Sequence, residues 1–191
     1  MLETRAFKQG VFLHSPRKFG TLAEIMATAL FDLKPAESGE YDRLDDNGDR
    51  VEIKFSRVLE PIEGSMNEKN CVKQTVDASR GPQAISSSEA KTAGYDCNIQ
   101  QVKPEKFDTL IYGLFFKDKI EIFKIPSSEV ADCPKGSPHQ QRGNKTSDDA
   151  VNEGQFHITK DTIDYHRTRY KVKTVTYRKL KKILLEKQNQ A

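Results

Sequence analysis

Cysteine is scarce and scattered in this 191-residue chain. Cys71, Cys97 and Cys133 are odd in number and lack zinc-ligand spacing, which argues against a disulfide framework and against structural zinc. Their expected role is that of small buried hydrophobes. No apolar run approaches the roughly 20 residues that span a bilayer. The opening Met1-Leu2-Glu3-Thr4-Arg5 has no signal-peptide core. A cytoplasmic protein is the expectation. Glycine-rich phosphate loops, Cys-x-x-Cys pairs and a Gly-x-Ser-x-Gly elbow are absent, which removes the common nucleotide, redox and serine-hydrolase signatures. His14, His139, His157 and His166 never fall at the i, i+4 spacing of a helical metal site. No internal repeat is present.

What the chain does have is a short polar hairpin. Val51-Glu52-Ile53-Lys54-Phe55-Ser56 is a β-favouring run, so Glu52 and Lys54, two apart, project from one face while Ile53 turns to the core. Asp42 lies ten residues before Glu52, with Asp46-Asn47-Gly48 between them as a hairpin signal. A three-residue loop with Gly48 in the left-handed conformation pairs 45 with 49 and therefore Asp42 with Glu52, Cβ atoms about 5 Å apart. A two-residue Asn47-Gly48 turn would put the carboxylates on opposite faces instead. In the first register they repel unless a cation lies between them, and hard oxygen ligands suit Mg²⁺. The bland alternative is an exposed hairpin with a surface Glu52–Lys54 ion pair.

Asp42 followed after nine residues by Glu52-Ile53-Lys54 resembles the active-site motif of the PD-(D/E)XK nuclease superfamily, and the hairpin is most similar to those of type II restriction endonucleases. The likeness covers roughly residues 20 to 125. It departs from the pattern at Tyr41, where the eponymous proline would stand. The resemblance implies a single mixed α/β domain with a restriction-endonuclease-like core, a central mixed sheet flanked by helices. It implies Asp42, Glu52 and the backbone carbonyl of Ile53 as Mg²⁺ ligands and Lys54 as the catalytic ammonium. It further implies a homodimer on double-stranded DNA, 5′-phosphate products and a companion DNA methyltransferase.

The remaining elements follow from pattern. Leu22 to Leu33 reads as a helix with Thr21 as N-cap and Glu24 as its capping-box partner, the family-derived alternative for Glu24 being a metal contact. Tyr41 to Asp45 and Arg50 to Val58 read as strands, residues 60 to 83 as irregular, and Ser86 to Ala93 as a short helix ended by Gly94. Asn98 to Lys103, Thr109 to Phe116 and Lys119 to Ile125 read as strands, the last two joined by a Lys117-Asp118 turn. Gln101 and Lys103 fall on one face of a strand expected beside the catalytic one, either touching phosphate or lining a solvated edge. Leu180, Ile183 and Leu184 give a final helix its docking stripe.

Charge is uneven. From Lys160 onward there are ten Lys/Arg against three Asp/Glu, a net of +7, which leaves −4 for residues 1 to 159 of a chain whose total is +3. A basic end on an acidic body suggests a polyanionic partner, and Lys179, Lys181 and Lys182 are candidate phosphate contacts. Residues 134 to 157 are polar throughout apart from Ala150, Val151 and Phe156 and so add little to a core. There, His139, Gln140, Gln141, Arg142 and Asn144 are residue types that read base edges, with a solvated loop as the alternative. His157 reads as a structural histidine or a DNA contact on a returning strand.

Overall fold

A computed structural model of the chain describes residues 4–61, 65–78, 81–138 and 153–190. The architecture is mixed α/β. Helices α1 (Thr4–Leu13) and α2 (Pro16–Leu30) lead into β1 (Lys34–Pro35), β2 (Arg43–Leu44) and β3 (Arg50–Arg57). Helix α3 (Cys71–Ala78) and β4 (Asp96–Val102) precede β5 (Thr109–Phe115) and β6 (Ile120–Pro126). Then come β7 (Gly136–Ser137), β8 (Gly154–Thr159), α4 (Ile163–Arg169), β9 (Lys171–Val175) and α5 (Tyr177–Gln190).

The central sheet has the order β1-β2-β3-β5-β6-β9, and its β3–β5 pair is parallel while its other neighbours are antiparallel. Alternation along these strands builds two cores. Val51, Ile53, Ile111, Phe115, Ile120 and Ile122 face a layer made by α1, α2 and α5. Leu110, Tyr112, Leu114, Phe123 and Ile125 face the second sheet, β4-β8-β7, together with α4. Strand β5, Thr-Leu-Ile-Tyr-Gly-Leu-Phe, is therefore buried on both faces, as its unbroken apolar run requires. Its Gly113 lies beneath the Phe55 ring; a Cβ there would collide with that ring and with the Glu121 carbonyl. Arg57 ends β3 by donating to the carbonyls of Phe12 (2.7 Å) and His14 (2.8 Å), which closes the C-terminus of α1.

Several elements differ from expectation. Helix α2 begins at Pro16, a favoured first helical residue, so Thr21 lies inside it and donates to the Arg17 carbonyl rather than capping. Glu24 is accordingly mid-helix and forms an ion pair with Arg43 at 2.6 Å. Residues 60–83 are not wholly irregular, because α3 forms over Cys71–Ala78 with no buried residue. Ser86 to Ala93 makes successive turns, not a helix. Helix α1 is additional to the expected elements, although Phe7, Val11 and Phe12 recur at helical spacing. Cys97 and Cys133 are buried free thiols, each pushed up to about 12 by burial, whereas Cys71 is only half-buried. Strands β3, β5 and β6, the Lys117-Asp118 turn (Phe116 N–H to Lys119 carbonyl, 2.9 Å) and the docked final helix follow the expected pattern, whereas β2 is cut to Arg43–Leu44 and β1, β7, α4 and β9 are additional. Among the described residues no helix is long and apolar enough to cross a membrane.

The second core holds one histidine. His166 is 0% exposed, its Nδ1 lies 2.8 Å from the Tyr112 hydroxyl, and its ring stacks on Phe156 with centroids 5.6 Å apart. Nε2 is buried without a partner among the described residues. Burial lowers its pKa to about 4. The folded state thus binds fewer protons than the unfolded state between about pH 4 and pH 6.5, and stability falls as pH drops through that window, by on the order of 3 kcal/mol in all. A Tyr112→Phe/His166→Phe protein, with both polar atoms removed, should lose much less stability between pH 6.5 and pH 4 in urea unfolding.

Candidate functional site

Asp45 and Asp49 set the hairpin. The Asp45 carboxylate accepts the amides of Asn47 (2.9 Å) and Asp49 (3.0 Å), and the Asp45 amide donates to the Asp49 carbonyl at 3.0 Å. Gly48 has φ +86, the left-handed conformation of the three-residue loop. The ladder then pairs Leu44 with Arg50 and Arg43 with Val51, the register that brings Asp42 alongside Glu52.

Regular pairing stops at Arg43, and Asp42 replaces the missing partner of β3. Its amide donates to the Val51 carbonyl (3.1 Å), and its Oδ2 accepts the Ile53 amide (2.8 Å). Asp42 is thereby pinned at the β3 edge rather than standing as a freely opposed side chain. Because the N–H and C=O of one strand residue leave the same edge, the Ile53 carbonyl is turned to that side as well. Asp42 Oδ1 and Glu52 Oε2 make no hydrogen bond among the described residues, so each carboxylate keeps a free oxygen.

Glu52 is largely covered, its side chain 12% exposed, and its Oε1 lies 2.5 Å from the Lys54 ammonium. Burial raises the Glu52 carboxyl above its ordinary value; Lys54 pulls it back, and the charge of Asp42 pushes it up again. Lys54 thus gives Glu52 a counter-charge from within the chain. Lys103 also acts on Glu52 electrostatically from the end of β4, while its ammonium pairs with Glu153 at 3.0 Å.

The structure does not bring the other expected residues together. Strand β4 hydrogen-bonds to β8 in the second sheet, not to β3, and its register breaks between Ile99 and Val102 where Gln101 adopts φ +57. Gln101 is exposed and Lys103 half-buried on either side of buried Val102, with the Lys103 ammonium on Glu153. Lys179, Lys181 and Lys182 ride on α5, whose Tyr177 and Leu180 pack against the opposite face of the central sheet from Glu52 and Lys54. His139, Gln140, Gln141, Arg142 and Asn144 lie outside the described residues. His157 pairs with Asp96 (Nδ1 to Oδ1, 2.7 Å) and serves the β4–β8 junction. Sequence reasoning missed Glu153 as the partner of Lys103; only their opposite charges pointed to it, across fifty residues of chain.

The chemistry available is two adjacent carboxylates with free oxygens, a backbone carbonyl on the same edge and an ammonium on the same strand face. Among the described residues no three His, Cys, Asp or Glu side chains converge. Any hard cation here would complete its shell with water or substrate oxygen, as Mg²⁺ usually does.

Two outcomes test this geometry. No heavy atom would lie within 4 Å of a Cβ at Gly48, so the cost of Gly48→Val is conformational, about 1 to 2 kcal/mol, readable by denaturant unfolding. Because the folded-state pKa of Glu52 is raised, its ionised form costs stability at high pH and the cost vanishes as pH falls through that pKa. The Tm of Glu52→Gln minus that of the parent should therefore be more positive at pH 8 than at pH 4. No protein-family model matches this chain, and no curated protein is similar enough to it to count as a relative.

Proposed function

We propose that this chain is a Mg²⁺-dependent nuclease that hydrolyses phosphodiesters of double-stranded DNA, a type II restriction endonuclease of the PD-(D/E)XK kind. The observation that carries the reading is the Asp42 carboxylate held by the Ile53 amide (2.8 Å) beside a covered Glu52 that is itself paired with Lys54 (2.5 Å). An exposed ion pair of no consequence would need neither a third group fixed by backbone bonding nor a carboxylate so largely withdrawn from water.

The residues fit the metal through their donor set, with Asp42 Oδ1, Glu52 Oε2 and the Ile53 carbonyl as the hard oxygens. When bound there, the ion supplies Lewis acidity and lowers the pKa of a coordinated water. Lys54 does the rest from the protein side. Held by Glu52, its ammonium is pre-positioned on the face where a phosphate would approach, so charge that builds on the phosphate oxygens is met without rearrangement. Water adds to phosphorus as the bond to O3′ breaks; the proton lost by water ends on O3′, leaving a 5′-phosphate and a 3′-hydroxyl. Lys103 adds positive potential at Glu52.

The family likeness brings with it a homodimer reading a palindromic sequence and a companion methyltransferase, and the cytoplasm is proposed as the location from the sequence alone. Sequence reading is assigned to His139, Gln140, Gln141, Arg142 and Asn144, from their hydrogen-bonding character alone.

Incubation with a plasmid of known sequence, with and without Mg²⁺, tests the proposal. Discrete Mg²⁺-dependent fragments support a restriction enzyme; nicking confined to mismatched or branched DNA assigns a repair or recombination nuclease to the same residues. Retardation on a gel without cutting indicates a non-catalytic binder. Asp42→Ala, Glu52→Ala and Lys54→Ala should each slow cleavage by on the order of 100-fold or more while leaving DNA binding largely intact. Cleavage by Glu52→Ala at the parent rate would refute the assignment.

A further inference from the structure

Away from the carboxylate pair, a hollow of about 290 Å³ opens where α1, the β5–β6 turn and the start of α5 meet. Its floor is firm. Tyr177 is 4% exposed there, its hydroxyl donates to the Phe116 carbonyl at 2.5 Å, and its ring packs on Phe12 with centroids 6.0 Å apart. Around that floor stand Arg5 and Lys8 from one face of α1, Lys117 from the turn, and Arg178 from α5.

These four cations come from three separate stretches of chain, so the fold gathers them, not a basic run. None of their side chains forms an ion pair or hydrogen bond among the described residues. Some lysines elsewhere on the surface are neutralised, as Lys34 is by Asp46, Lys73 by Asp77, Lys91 by Asp164 and Lys106 by Glu40, while others stand singly; here four cations share one hollow. The hollow does contain one acid, Asp118. Its two oxygens are already taken by the Ser87 amide (2.7 Å) and the Ser87 hydroxyl (2.6 Å). Asp118 keeps its charge, since both its donors are neutral, so four cations and one carboxylate leave the concavity at a net +3 that an entering anion would relieve.

We infer that Arg5, Lys8, Lys117 and Arg178 form a binding site for a phosphate group. Two guanidinium groups offer forked donors that match tetrahedral oxyanions, and two ammonium groups add point charge, a combination suited to phosphate. The site is distinct from the scissile-phosphate position. Glu52 pairs with Leu110, and Lys117 lies seven residues farther along β5 and its turn, roughly 20 Å at strand rise. One phosphate cannot occupy both. The ligand is either the backbone of bound DNA or a free phosphate or small phosphorylated molecule, and the two are separable.

The test uses the full chain, with inorganic phosphate titrated at constant ionic strength against a chloride control while backbone amide NMR signals are followed. Saturable shifts at Lys117 and Arg178, abolished in Arg5→Gln/Arg178→Gln and, independently, in Lys117→Gln, are expected. The same variants are then titrated with a duplex in Mg²⁺-free buffer over a range of salt. A salt slope shallower by about one for each phosphate-binding cation removed identifies the DNA backbone as the source. An unchanged slope, with the parent still responding to inorganic phosphate, identifies the free or small-molecule source. Glu52→Gln should bind phosphate as the parent does, so failure of the nuclease reading leaves this result standing. Phosphate shifts that persist in both variants overturn the site, as does the absence of phosphate-specific shifts together with an unchanged duplex slope.

Discussion

Parallel pairing of β3 with β5, from Val51 opposite Thr109 to Arg57 opposite Phe115, is the interaction on which the other layers depend. A strand held on both edges and packed on both faces leaves its polar side chains few places to go. Val51, Ile53 and Phe55 enter the helical layer, so Glu52 and Lys54 must meet on the opposite side, where the second sheet shelters them from water. Their mutual pairing is what makes that position tolerable, and it is still not enough to bring Glu52 down to an ordinary carboxylate. The conflict between burial and charge sits where chemistry would use it.

The same layer handles a second buried acid in a different way. Glu121 is 1% exposed on β6, and Arg167 of α4 reaches it with Nε at 2.8 Å and a second nitrogen at 3.2 Å, while Lys119 and Lys171 stand at 3.5 and 3.4 Å. Arg167 also donates to the Ser87 carbonyl at 3.0 Å. Here the oxygens are saturated by cations and the group ties α4 to the sheet. Asp42 and Glu52, by contrast, each keep an oxygen unsatisfied. Two kinds of sheltered carboxylate, one closed and one open, separate scaffold from candidate site more clearly than burial alone does.

The hairpin was legible in the sequence because everything that shapes it is local. Asp45, Asn47 and Gly48 fix the turn within five residues, and the register follows by counting. Strand β4 was legible as a strand but not as a member of the second sheet, since its partner β8 is more than fifty residues away and alternation says nothing about which sheet a strand joins. Its bulge at Gln101 was equally hidden, because no glycine marks the positive φ. The start of α2 is misread from sequence because Thr21 with Glu24 resembles a capping box, whereas the helix runs from Pro16 and the turn before Thr21 is held by burial of Phe19. Helix α3 could not be read at all from apolar periodicity, as it buries nothing.

The two sides of the candidate site are built from different distances along the chain, and the order in which they come into being follows from that. Asp42 and Glu52 lie within one hairpin and can close as soon as a dozen residues are free. Lys103 is delivered by β4, which is seated only when β8 arrives from beyond residue 153, and its ammonium is held there by Glu153. During synthesis Asp42, Glu52 and Lys54 can therefore come together before Lys103 is seated. Until roughly the last fifth of the chain is in place, Lys103 has neither its strand partner nor Glu153 to hold it, so the surroundings of Glu52 are complete only when the fold is.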